Sequence, residues 1–437
     1  PWPPSPRSSA ARLSRSRSVT AAEPAGATPV YRPFALLAFV TTLAVGTPVG
    51  GWMLAWLYWG APAAPIAWVL LHANLQIFGF FATLIPGVAP HLFDRFTGHP
   101  VPRRPMTPWV FGLLAAALVL RISGTWAASP APVLAASLLQ AAAFLLFASW
   151  VRRALHPPEL AFLRLHLTAS TGWLALACLL ETILRWRALE LGLASPPLAT
   201  MRAVHAMGIF GGVLGWVLGV LLRAGPMFVS GWSVPPRTAR AIPWALALGV
   251  LVTLAGETGA WRGATGTALA RLGELLALGT VAVVAISGGV FRRARGVLPM
   301  VSRSAEGSRI FRLAAASAVG AVAGFAVAAA GAPLGAQTHL IADAARHLLT
   351  VGFLTSVVVA MAFRLIPVLE LVPLPWPGLR RVAFWALLGG VALRTAELGA
   401  AYGAPAIAPL APLSGVLVWV AVACVAANLA RTLKRSL

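Results

Sequence analysis

Residues 406–435 read AIAPLAPLSGVLVWVAVACVAANLARTLKR: 25 residues with no acid, lysine, arginine or histidine, closed by Arg431, Lys434 and Arg435. At 1.5 Å per residue such a helix is about 37 Å long, enough to cross a hydrocarbon core of about 30 Å. It has no charged face to show to water, as a helix of a soluble domain must. Eleven similar runs precede it, at 35–58, 65–88, 108–128, 131–151, 160–184, 201–222, 242–260, 264–290, 310–332, 340–366 and 380–401. Twelve spans predict an all-α polytopic transmembrane bundle whose first partner is the lipid bilayer.

The composition agrees. Of 437 residues, 59% are hydrophobic and 10% charged, and the mean hydropathy is +0.82; a soluble domain carries about 25% charged residues. A net charge of +23 raises the question of nucleic acid. A nucleic-acid footprint is a cluster on one folded face, whereas these arginines are spread through short connections, so nucleic-acid binding is rejected. Residues 1–29, rich in Arg, Ser and Pro, read as a disordered tail, and residues 30–437 as the membrane domain.

The arginines alternate. One set of segments carries Arg7 to Arg32, then Arg95, Arg103 and Arg104, then Arg152 and Arg153, then Arg223, Arg237 and Arg240. The series continues with six arginines from Arg292 to Arg312, with Arg364, Arg380 and Arg381, and with Arg431, Lys434 and Arg435. The connections between them hold only Arg121, Arg185, Arg187, Arg202, Arg262 and Arg394. Cations concentrate on the cytoplasmic side, so both termini are expected there.

Cys178 and Cys424 lie inside apolar runs and form no disulfide framework. The sequence has no C-x-x-C-H, so a haem would be held by side-chain ligands alone.

Three of the eight histidines stand apart. His72, His205 and His347 enter spans two, six and ten, which run in the same direction, at similar depth below the outer surface. Ionisable groups inside spans are rare and mostly functional, and imidazole is the commonest metal ligand; three interhelical hydrogen bonds are the plainer alternative. Asp343, four residues before His347, shares its helix face and is placed to hold the imidazole N–H. Arg346 and Arg202 stand where haem propionates would need cations. Gly79, Gly208, Gly212 and Gly352 are expected to leave room for a flat macrocycle, while the Gly211–Gly215–Gly219 ladder is equally explained by helix packing. His91, His99 and His156 are expected to be solvated, His166 to be a hydrogen-bonded structural residue, and His339 to lie at a helix end.

Several blocks resemble NnrS proteins: Arg32-Pro33-Phe34, His72-Ala73 with Phe78-Gly79-Phe80, and Arg95-Phe96-Thr97-Gly98. Arg202-Ala203-Val204-His205, Arg223 with Pro226-Met227-Phe228, and His347-Leu348-Leu349-Thr350-Val351-Gly352 do so too. The resemblance covers nearly the whole chain after residue 30. It implies a twelve-span protein of the bacterial inner membrane that contains haem and copper and acts in nitric-oxide and nitrosative-stress metabolism. The layout also resembles subunit I of the haem-copper oxidases. By position, that resemblance makes His72 and His347 axial ligands of a b-type haem near the periplasmic face, and His205 a metal ligand.

The departures are informative. Asn74-Leu75-Gln76 stands where the NnrS pattern often has His-Glu-Met, span seven has no histidine, Ala345 replaces a second span-ten histidine, and Ile209 follows His205 by four. They argue against a dioxygen-reducing centre and predict haem without stoichiometric copper. The functional expectation is binding or redox handling of nitric oxide. The alternatives are an electron-transfer subunit that works with a membrane redox partner, or a metal or small-molecule transporter.

Overall fold

The computed structural model describes residues 29–103, 106–228, 232, 234–257, 263–290, 305–330, 337–401 and 405–435. The expected tail, apart from Pro29, lies outside the described residues, as do Arg104, Arg262 and the run from Arg292 to Arg303. Among the described residues every regular element is helical. Eleven helices are long and apolar enough to cross a membrane: α1 (Tyr31–Trp59), α2 (Ile66–Thr97), α3 (Pro108–Trp126), α4 (Pro130–Ala154), α5 (Pro158–Glu190), α6 (Leu198–Gly225), α7 (Pro236–Glu257), α8 (Thr265–Ser287), α9 (Arg309–Ala330) and α10 (Leu340–Glu370), with Ala406–Lys434 the eleventh. Between the last two lies α11 (Leu379–Ala401), which carries Arg394 and Glu397 within its length; Ala406–Lys434 is therefore α12.

Local chemistry sets the ends. Gly60 and Gly98 stop α1 and α2 in the left-handed conformation, at φ 70° and 75°, which costs glycine little. Proline opens α4 at its first turn, where its missing N–H is no loss.

Each helix packs on the next in sequence, and α12 closes against α1. Inside this ring α6 touches α2, α5, α7 and α8. Burial follows that order: 83% of the apolar window of α6 is buried and 61% of those of α2 and α10, against 28% for α7. The three interior helices are thus those that carry His72, His205 and His347. Eight of the nine exposed tryptophans among the described residues fall toward helix ends, Trp56, Trp59, Trp126 and Trp186 at the histidine end and Trp109, Trp244, Trp376 and Trp385 at the other, while Trp419 stands midway along α12. Amphipathic indoles favour the two membrane–water interfaces.

Glycine sets the close approaches, which in lipid replace hydrophobic drive as the source of association. On α6, Gly211, Gly212, Gly215 and Gly219 receive Trp173, Leu174, Ser170 and Leu167 of α5; a Cβ at Gly212 would stand 2.3 Å from Leu174. Packing, not room for a ligand, is also the role of the other expected spacers. Gly208 lies under Phe78 and Ile77, Gly352 against Ser317 of α9, and Gly79 against Thr41 and Leu118. The expectation that Gly79, Gly208, Gly212 and Gly352 leave space for a macrocycle is overturned, because neighbouring side chains already fill it.

Candidate functional site: three histidines and their ion pairs

The three histidines enter their helices from the same end. Counted from the helix starts at Ile66, Leu198 and Gln337, His72, His205 and His347 come six, seven and ten residues in, about 9, 11 and 15 Å from the end. Helix α6 starts earlier than the apolar run suggested, which brings His205 close to the depth of His72, with His347 about one turn deeper.

A π-helical segment follows each of them: Leu75–Phe81 in α2, Met207–Leu214 in α6 and Leu348–Thr355 in α10. Wide turns of this kind are rare and concentrate at functional sites. In α2 and α10 a threonine hydroxyl donates to the carbonyl five residues back rather than four, Thr83 to Phe78 at 2.8 Å and Thr355 to Thr350 at 2.9 Å. In α1 a fourth such segment, Thr42–Gly46, lies just before Pro48, whose missing N–H breaks the ordinary ladder.

That segment of α1 positions His72. Its Nδ1 is 2.7 Å from the Gly46 carbonyl. A carbonyl only accepts, so Nδ1 carries the proton and Nε2 keeps its lone pair. The ring lies over Gly50, where a Cβ would come within 2.5 Å of Cε1. Beside it Thr42 donates to Gln76 at 3.1 Å and Gln76 to Thr47 at 3.4 Å.

His347 repeats the arrangement on α10. Its Nδ1 is 2.9 Å from the Asp343 carbonyl oxygen, and the Asp343 carboxylate is farther, at 3.4 Å. The backbone of Asp343, more than its side chain, holds the imidazole. The Asp343 carboxylate instead takes Arg394, which also pairs with Glu397, and Tyr58 of α1 donates to Glu397. Arg394 Nη2 also lies 3.2 Å from Nδ1 of His347; the Asp343 carbonyl, closer at 2.9 Å, is the acceptor that favours the proton on Nδ1. His72, His347, Asp343 and Arg394 all lie within electrostatic range of one another.

His205 faces a different neighbourhood, made of Glu181, Arg185, Arg121 and Arg346. Its Nε2 is buried and has no hydrogen-bond partner. Glu181 is fully buried and accepts from Arg121 at 2.6 and 3.1 Å, Arg185 at 2.7 Å and Asn74 at 3.2 Å. Gln140 joins through Arg121 at 2.8 Å. Asn74, a departure from the resembling pattern, is thus part of an ion network linking α2, α3, α4 and α5.

The remaining cations divide. Arg346 faces Glu274 of α8 at 3.6 Å, and Glu274 pairs with Arg271 at 2.5 Å. Arg202 is exposed, with Glu257 in its field. Reading Arg121, Arg185 and Arg394 as connection residues was wrong: each lies within a helix, buried by a carboxylate partner. His91 is not solvated either, since its Nε2 is buried and its ring meets Tyr31 edge-on at 5.7 Å. His99 and His156 are exposed. His166 is 1% exposed, and the Gly215 backbone of α6 is the polar group its ring meets, short of full hydrogen-bond geometry, in keeping with the expected structural role. The side chain of His339 lies outside the described residues.

Among the described residues no three His, Cys, Asp or Glu side chains gather as a metal-holding group. The donor set on α2 and α10 nevertheless suits an iron porphyrin, which asks each face for one neutral imidazole with Nδ1 tied back. No family model matches the chain, and no curated protein matches it significantly.

Proposed function

We propose that the chain is a multi-pass protein of the bacterial inner membrane, with both termini cytoplasmic. In this reading it holds a b-type haem between α2 and α10, near the periplasmic face, and serves nitric-oxide metabolism as NnrS proteins do. The observation that carries the haem reading is the paired fixation of Nδ1 on His72 and His347 by backbone carbonyls. Two separate helices each present one imidazole with its Nε2 lone pair free. The nitric-oxide reading rests on the resemblance of the blocks around those residues.

When bound, haem supplies one-electron chemistry. The protein's own groups do the rest. His72 and His347 would hold it through Nε2; the Gly46 and Asp343 carbonyls hold the two rings. Arg346, 3.6 Å from Glu274, and the exposed Arg202 are the cations that would meet its propionates. With both imidazoles engaged, the group would take up no further ligand, which also suits an electron-transfer subunit. A transporter would need neither the tautomer nor the pairing.

The spectrum of the purified full chain tests the reading: a Soret band, a b-type haemochrome and a low-spin ferric state are expected. A protein free of haem after expression with haem supplied, yet able to move a metal or solute, would favour the transporter. Topology has its own test. Reporter fusions after Arg153, Arg240 and Arg381 should report cytoplasm, and fusions after Trp59, Leu193 and Pro333 periplasm; reversed signals at two neighbouring connections would end the orientation.

A further inference from the structure

An apolar cavity of about 20 Å³ lies among α6, α8, α9 and α10, lined by Leu218, Ala285, Ala314, Ala315, Phe353 and Trp232 among others. These six are all buried. The three alanines are too short to fill the space between their helices. The volume, measured for the centre of a water-sized sphere, exceeds the roughly 10–15 Å³ that one such molecule needs. A buried water also needs two to four polar partners. The one polar side-chain atom among the lining residues named here, the indole Nε1 of Trp232, is buried without a hydrogen-bond partner and lies against Gly225.

That donor is fixed. The Trp232 ring is wedged between Gly225 and Gly288, where added Cβ atoms would stand 2.3 and 2.9 Å from it, so it has little freedom to turn toward another acceptor. An apolar wall with one stationary N–H disfavours water and ions, and it excludes organic molecules by size. It accommodates a small neutral gas molecule that needs no polar partner.

We propose that this cavity binds one small neutral gas molecule. Phe353 reaches it from the π-helical segment of α10, six residues beyond His347, about 9 Å along the helix axis. The assignment of nitric oxide as that gas rests on the function proposed above; the site itself does not.

Xenon is the probe. Crystals of the full chain pressurised with xenon should show one anomalous peak among these four helices. Ala315→Leu, which fills the space, should abolish it, and Trp232→Phe, which removes the N–H and can only enlarge the space, should retain it. Absence of the peak in the unsubstituted protein, its persistence in Ala315→Leu, or an ordered water on Trp232 Nε1 in its place would overturn the proposal. If Ala315→Leu does not fold, Ala314→Val narrows the same space, and persistence of the full peak in that variant overturns the proposal. The Soret band of the same sample separates the two claims: xenon without haem defeats only the haem reading, and haem without xenon defeats only this one.

Discussion

Two ion-paired carboxylates at the histidine end have opposite surroundings. Glu181 is closed: Arg121, Arg185 and Asn74 all donate to it, and neither it nor Arg121 is more than 1% exposed. Asp343 is open: its side chain is 42% exposed, and that of the neighbouring His347 29%. A closed network can only hold helices together. An open one, beside imidazoles whose lone pairs are uncommitted, can receive a ligand. The difference sorts the histidines as well, since His205 lies against the closed network and His72 and His347 against the open one.

Breaking the closed network should give the largest loss of stability. Arg121→Ala leaves Glu181 buried with one cation, and stranding a buried charge costs about 3–5 kcal/mol. Thermal unfolding in detergent reads this, and Arg121→Met combined with Glu181→Leu should recover most of it. Equal destabilisation by the single and double variants would mean that the pair is not the closed unit described.

Gly50→Ala sharpens the other side of the comparison. Its Cβ would meet the His72 ring at 2.5 Å, and overpacking of this kind costs about 1–3 kcal/mol. The stability loss should be smaller than for Arg121→Ala, while haem retention falls, because the ring and its bond to Gly46 are displaced. Undiminished haem binding in Gly50→Ala would show that α1 does not position His72.

Much of this architecture was legible in the residues. Each apolar run corresponds to a helix, because a bilayer span needs a continuous apolar stretch and nothing in a connection imitates one. Which helices carry His72 and His347 could be told from the same runs, but their relative depth could not, because the helix of His347 begins at Gln337 and not at Leu340. The ion networks were hidden for a physical reason: Arg121 and Glu181 are 60 residues apart, and only their tertiary pairing allows an arginine inside a span. A local hint existed in the Glu181–Arg185, Arg271–Glu274 and Arg394–Glu397 spacings, which put opposite charges on one helix face. The glycines misled because a missing side chain reads the same whether a cofactor or a neighbouring helix occupies the space. Gly46 and Gly50 could not be singled out, since a carbonyl acceptor leaves no mark on the residue that supplies it.

The central claim is that His72 and His347, and not His205, are the pair presented to haem. The direct measurement is the haem content of three purified variants compared by Soret absorbance per chain. Haem should be lost or strongly reduced in His72→Ala and in His347→Ala, and kept in His205→Ala. Full occupancy in the His72→Ala/His347→Ala double variant, or loss in His205→Ala alone, would contradict the account.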